Sequence, residues 1–259
     1  MNETKILKEM PRSIAGQTYR DLRAALSTTE LNALDVICSE INKKNLKEVA
    51  APSNNVYEIK AKDYLDKFTK YTKKEPMSEE SVYKHLTNGI KALYKYSIEP
   101  VTGEEGLSIR IIDTISLDKE KKNISLILSP AMQLILKTQQ EKNKEESTED
   151  VTLAFKNAYA KKLYPMLLPH RDKEKRKDDI ESLKRKLGIS ENIKTSQIMS
   201  YIEKAVNEIN KASDIHVKIK PERKEKDITG VTFTVLTKID KAKSNKAKEV
   251  KENEQSKKV

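Results

Sequence analysis

Cysteine is nearly absent: the 259-residue chain has one, Cys38. A disulfide framework is therefore excluded, and a reducing compartment is expected. Cys38 falls in an apolar helical stripe, where it reads as a small buried hydrophobe and not as a nucleophile. Histidine is scarce too. His85, His170 and His216 are scattered and have no cysteine beside them, so no metal site is expected. No paired histidines stand near a tyrosine, as a nicking relaxase would require. No GxxxxGK(S/T) loop occurs, which leaves ATP hydrolysis at a Walker site unsupported. No run approaches ~20 apolar residues, so no membrane span is expected. Met1 to Met10 is charged and lacks an apolar run, so it does not read as a signal peptide. With no catalytic constellation and no cofactor site, the expectation is a cytoplasmic binding protein, not an enzyme.

Charge is what the chain has in quantity. Charged residues make up 35% and the formal net charge is +11. A basic surplus of this size favours a polyanionic partner, because basic groups displace counterions from phosphates.

Hydrophobic spacing divides the chain. Residues 1–27 are polar and mixed and are expected to form an arm. Thr28 or Thr29 is expected to cap a helix whose apolar positions are Leu31, Leu34, Val36, Ile37 and Ile41. Val56 to Ile59 reads as extended, and Lys62 to Thr69 as a short helix. Ser78 is placed to cap the next helix, with Glu79 and Glu80 in its first turn. Val82, Leu86, Ile90 and Leu93 form that helix's inner stripe. Ser81, Lys84, Asn88, Lys91 and Lys95 then fall on the opposite face. Leu107 to Leu117 and Asn123 to Ser129 read as strands of a hairpin around a charged turn, and Pro130 to Lys137 as a helix. The order is that of a helix-turn-helix followed by a hairpin wing. Residues 139–150 are almost wholly polar and are expected to be a linker.

The order then repeats. Val151 to Leu168 reads as a helix that Pro165 should kink or end. Asp178 and Asp179 are expected to open a short helix that Gly188 terminates. Thr195 is expected to cap a longer helix with Ile198, Ile202, Ala205, Val206 and Ile209 inward. Ile215 to Lys220 and Ile228 to Thr237 form a second hairpin around the turn Pro221 to Asp227. The segment after residue 237 is Lys-rich, almost free of apolar residues and expected to be disordered.

The predicted class is thus α+β, mainly helical, with two tandem winged-helix domains at 28–138 and 151–237. The major groove admits an α-helix and displays a distinct pattern for each base pair. Opposite the apolar stripe of the helix from Thr195 lie Ser196, Gln197, Ser200, Lys204, Asn207 and Lys211. Gln197 suits bidentate pairing with adenine, and Lys204 suits guanine or phosphate. The lysines of the first domain's helix suit phosphate neutralisation, so that domain is expected to position and the second to specify. Lys121 and Lys122 in the first wing, and Arg223 and Lys224 in the second, are candidate contacts to flanking phosphates. The basic run Arg171 to Arg185 is expected near the DNA backbone or in solvent.

The second half resembles the iteron-binding plasmid replication initiators. Ala158-Tyr159-Ala160-Lys161-Lys162-Leu163-Tyr164 is similar to the opening helix of that family's second domain, and Leu183-Lys184-Arg185-Lys186-Leu187-Gly188 to its next helix and turn. Tyr201 to Asp214, with Val206-Asn207-Glu208-Ile209-Asn210, is similar to its recognition helix. Leu31-Asn32-Ala33-Leu34 and Ser81-Val82-Tyr83-Lys84-His85-Leu86 match more loosely, and Pro165 departs from the pattern. The resemblance implies binding of double-stranded origin repeats as a monomer, opening of an AT-rich segment, and recruitment of host replication proteins such as a helicase or initiator. It also implies a homodimer through the first domain that represses its own gene. A dimeric winged-helix repressor without an initiation role is the alternative, and a nicking replication enzyme is a third reading.

Overall fold

The computed structural model describes residues 12–43, 56–69, 77–99, 108–142, 148–172, 175–225 and 227–237. The chain divides into two compact units, Met1–Lys161 and Lys162–Val259, with the division inside a helix.

The first unit opens with α1 (Arg12–Ala25) and α2 (Thr28–Lys43). The expected arm over 1–27 is corrected here: Arg12–Ala25 is a helix, and Ala15, Thr18, Leu22, Arg23 and Leu26 are buried, while residues 1–11 lie outside the described residues. The cap of α2 is Ser27, not Thr28 or Thr29. Ser27 Oγ accepts from the Glu30 amide at 3.4 Å, and Glu30 Oε2 accepts from the Ser27 amide at 2.8 Å. This reciprocal pair satisfies two amides that the first turn leaves open.

β1 (Val56–Lys60) follows, then a 3-10 turn (Ala61–Tyr64), α3 (Leu65–Thr69) and α4 (Glu79–Lys95). Ser78 caps α4 as the sequence predicts, accepting from the Ser81 amide at 3.2 Å. A small ribbon of β2 (Ser97–Ile98) and β3 (Ile109–Arg110) precedes β4 (Ile112–Asp118) and β5 (Asn123–Leu128). The apolar run expected as one strand is therefore split: Ile109 pairs with Ile98, and Ile112 with Leu128. Both Ile111 and Ile112, at the change of partner, are buried. α5 (Pro130–Lys142) and α6 (Thr148–Leu153) complete this unit with the first turn of α7 (Ala158–Leu167).

The linker expected over 139–150 is corrected at both ends. α5 runs through to Lys142 and α6 begins at Thr148; residues 143–147 lie outside the described residues. Thr152 and Leu153 are buried in the first unit, so the second does not start at 151. Val151 to Leu168 is two helices, not one, with a break over 154–157. α7 passes Pro165 and gives way to a 3-10 turn at Leu168–His170.

In the second unit, Arg176 to Asp179 is a strand, β6, where the sequence predicts the start of a helix. Asp179 caps α8 (Ile180–Leu187), accepting from the Ser182 amide at 2.7 Å. Gly188 ends it at φ 65°, a conformation that favours glycine, with the Ile189 amide reaching back to the Lys184 carbonyl at 2.8 Å. α9 (Thr195–Ala212) has Lys194 as its cap, without a side-chain bond, so Thr195 is its first helical residue and not its cap. β7 (Ile215–Lys224) and β8 (Asp227–Thr237) extend through most of what reads as a turn. The segment 238–259 lies outside the described residues.

Both units contain the succession helix, strand, helix, helix, strand, strand. Both sheets are antiparallel with the same order, β1-β5-β4 and β6-β8-β7. These are two winged-helix domains.

The first core is braced by charge. Asp35 is 0% exposed. Its Oδ1 accepts from Arg23 Nη1 at 2.6 Å, and its Oδ2 accepts from Thr152 Oγ1 at 2.8 Å and lies 4.0 Å from Lys161 Nζ. Arg23 also donates to the Lys161 carbonyl at 3.1 Å, and Lys161 Nζ to the Thr152 carbonyl. One carboxylate thus ties together α1, α2, α6 and α7. Asp35→Ala would remove the buried carboxylate that Arg23 and Lys161 share. It should lower the unfolding free energy by about 3–5 kcal/mol, measured by urea denaturation.

α2 and α4 cross closely at Gly89, where a Cβ would fall 2.6 Å from the Thr29 carbonyl oxygen. Beside this crossing, Asn32 Nδ2 lies 2.8 Å from His85 Nε2. Burial, and then the charge of Lys161, hold the His85 pKa below its usual value. The unfolded chain therefore takes up a proton that the folded chain resists. Stability from this group is complete above the unfolded value of about 6.5 and falls as pH drops below it. Thermal denaturation from about pH 7 to about pH 5 should show a loss that is smaller in His85→Gln.

Candidate nucleic-acid interface

The apolar stripe of α4 is fully inside: Val82, Leu86, Ile90 and Leu93 are all 0% exposed. Each such side chain contributes about 1.5–3 kcal/mol by leaving water, which fixes the helix's rotation. Ser81, Lys84, Asn88, Lys91 and Lys95 consequently share the exposed face. Lys84 pairs with Glu80 at 3.3 Å, but both side chains are well exposed and the pair is worth little. The five residues are brought together as the helical spacing predicts.

α9 is oriented in the same way. Ile198, Ile202, Ala205 and Ile209 are 0% exposed, and Val206 is buried. Ser196, Gln197, Lys204, Asn207 and Lys211 are exposed on the other side, with Ser200 half-buried. Asn210 is held apart from this polar face. Its Oδ1 accepts from the Val217 amide at 2.6 Å and its Nδ2 donates to the Val217 carbonyl at 2.9 Å. The side chain acts as an extra strand for β7 and sets the wing against the helix.

The wings place their cations differently. Lys121 is exposed at the first turn, with its amide donating to Asp118 Oδ1 at 3.0 Å. Lys122 is half-buried at φ 52°, and its carbonyl accepts from the Ala61 amide at 3.1 Å. Arg223 and Lys224 are exposed near the end of β7.

The basic run 171–185 is in part structural. Asp178 is buried, and its carboxylate binds Arg176 at 2.5 Å and Lys186 at 2.6 Å. Burial alone would raise its pKa, but hydrogen bonds and charge from Arg176 and Lys186 hold it below the usual carboxylate value. Arg176 also donates to the Met166 carbonyl at 2.8 Å. Lys184 pairs with Glu181 at 3.0 Å. Lys175, Lys177 and Arg185 are exposed. The sequence reading missed these internal roles; the spacing of Arg176, Asp178 and Lys186 around one carboxylate becomes legible only with β6 in place.

Among the described residues, no cluster of three or more His, Cys, Asp or Glu is placed to hold a metal ion, and no helix is long and apolar enough to cross a membrane.

Two winged helices, each with a polar or basic outer face on its longest helix, define a tandem winged-helix protein. The chain belongs to the initiator replication protein family. Residues 18–168 match the family model described as "Initiator Replication protein, WH1", and residues 179–235 match "Initiator Rep protein, WH2". Its fold is similar to that of the Pi initiator protein, solved in complex with iteron DNA. That likeness has 21% identity, covers 83% of this chain and 93% of that one, and has a TM-score of 0.64. It is also similar to domains 2 and 3 of RctB, with 11% identity, 82% of each chain covered and a TM-score of 0.51. No curated protein sequence matches the chain.

Asn210→Ala should leave the Val217 amide and carbonyl without their partner. The second unit should lose about 1–3 kcal/mol, read as a lower urea midpoint with faster amide exchange in β7.

Proposed function

We propose that this chain is a plasmid replication initiator that binds direct repeats in double-stranded origin DNA. The observation that carries the reading is the pair of outward helix faces, one lysine-rich on α4 and one with small polar groups on α9. Family membership supports it, as does the fold shared with a Pi initiator bound to iteron DNA. On this reading the first domain positions the protein on phosphates, and the second reads base edges through Gln197, Lys204 and Asn207. The wing cations Lys121, Lys122, Arg223 and Lys224 add contacts to flanking phosphates. Promotion of origin opening, recruitment of host replication proteins, and autorepression as a dimer formed through the first domain belong to the same proposal. The chain works in the cytoplasm and by binding, without a catalytic step of its own.

Fluorescence anisotropy at physiological salt tests this with two duplexes, the tandem repeats beside the gene and a random sequence. The repeats should be preferred by roughly a thousandfold or more. Equal affinity would overturn the reading. Gln197→Ala should lower the discrimination by about 1–3 kcal/mol, whereas Lys91→Ala should reduce the log-log salt slope by about 1 without changing site choice.

A further inference from the structure

Side chains alternate between the two faces of a strand. In the second sheet, Val217, Val231, Phe233 and Val235 are buried on the inner face, where α8 packs on β6 and β8 and α9 packs on β7. The outer face carries a row of Lys177, Thr232 and Lys220 across all three strands, with Lys218 beside Thr234 in the next row. These three lysines are exposed, as is Lys175 just before β6, and no ion pair to any of the four is present among the described residues.

One carboxylate is already seated among them. Glu222 shares the outer face, and its Oε1 accepts from Thr232 Oγ1 at 2.6 Å. That hydrogen bond, followed by the charges of Lys177, Lys220 and Lys175, holds its pKa below the usual carboxylate value. Asp179, a second acid on this face, is turned to cap α8. Most of the positive charge is thus left without a counter-charge. The fold does not demand such a face: the first sheet, built in the same strand order, sets Lys60 against Glu58 and Asp118 on its outer side. Nor does contact between α9 and DNA use it. The polar face of α9 points away from the core of the unit, and the outer face of the sheet points away from that core on the strand side. A duplex lying on α9 leaves these lysines to a different polyanion.

We propose that the outer face of the second sheet docks an acidic segment of a partner protein. Its carboxylates take places beside Glu222, among Lys175, Lys177, Lys218 and Lys220. Complementary charge of this kind speeds encounter and selects the partner more than it adds raw affinity. The proposal rests on the reading of the chain as an initiator that recruits replication proteins, and it gives that recruitment a surface and a chemistry. DNA on one side of the domain and protein on the other can then be held at the same time.

The probe is a fluorescein-labelled peptide of alternating glutamate and serine, with a glutamine-for-glutamate version as control. The full chain should bind the first saturably, with the repeat duplex present or absent, and not the second. Lys177→Gln, Lys220→Gln should weaken peptide binding about fivefold, the loss of two exposed charge contacts, and leave duplex affinity and the urea midpoint unchanged. Lys204→Gln, Lys211→Gln on α9 should do the reverse, lowering duplex affinity and sparing the peptide. No saturable peptide binding would overturn the docking surface. So would an equal peptide loss from both pairs of substitutions, which would mean attraction to net charge alone. Duplex affinity lost with Lys177 and Lys220, together with displacement of the peptide by duplex, would make DNA the occupant and overturn the protein assignment. A lowered midpoint would give the lysines a structural role and overturn it too. If the unaltered chain binds repeat and random duplexes equally, the initiator reading fails, while opposite effects of the two pairs still support the docking surface.

Discussion

A stripe of apolar side chains decides which way α4 and α9 face, and everything functional follows from that rotation. Val82, Leu86, Ile90 and Leu93 in one helix, and Ile198, Ile202 and Ile209 in the other, are wholly withdrawn from water. Turning either helix by half a turn would expose several such residues and bury several lysines, at a cost far above the stability of a small domain. The polar faces are therefore rigidly presented, which is what contact with a duplex requires of a reading element. Asn210 and Gly89 refine the same arrangement: one binds the wing's first strand to α9, and the other lets α2 lie close against α4.

The first unit carries more than the winged-helix minimum, and charge holds the additions in place. Asp35 stands at the middle of α2, entirely buried, and collects Arg23 from α1, Thr152 from α6 and Lys161 from α7. Buried ionic groups repay their desolvation only when fully partnered. Here Asp35, Arg23 and Lys161 each have an opposite charge or a hydrogen bond inside the cluster, although Arg23 Nε has no hydrogen-bond partner among the described residues, and the contacts favour one register of the helices. An apolar cluster of the same volume would pack these helices without specifying it. In the second unit, the carboxylate of Asp178 does comparable service for β6 and α8 through Arg176 and Lys186.

The architecture was legible where the hydrophobic period was clean. The stripes of α4 and α9, the Ser78 cap and the Gly188 terminus follow directly from residue type and spacing. The failures have physical causes. α1 hides because its inward positions include Thr18 and Arg23, which read as solvent-facing until Asp35 is known to be opposite. β6 hides because Arg176-Lys177-Asp178-Asp179 contains no apolar residue; it is an edge strand held by the backbone of β8. The break over 154–157 hides because Phe155 continues the apolar pattern while the backbone leaves the helix. Of the candidate site, both exposed helix faces were readable. The internal roles of Arg176 and Lys186 were not, since they depend on Asp178 being buried between them.

On the proposed function, the exposed faces of α4 and of α9 each contact DNA. Cys38, the one cysteine, is buried, so a thiol introduced by Asn88→Cys or Asn207→Cys can be labelled selectively with a photoactivatable aryl azide. Illumination on a repeat duplex should give protein–DNA adducts from both positions. Binding of the labelled chains without an adduct from either position would contradict the account.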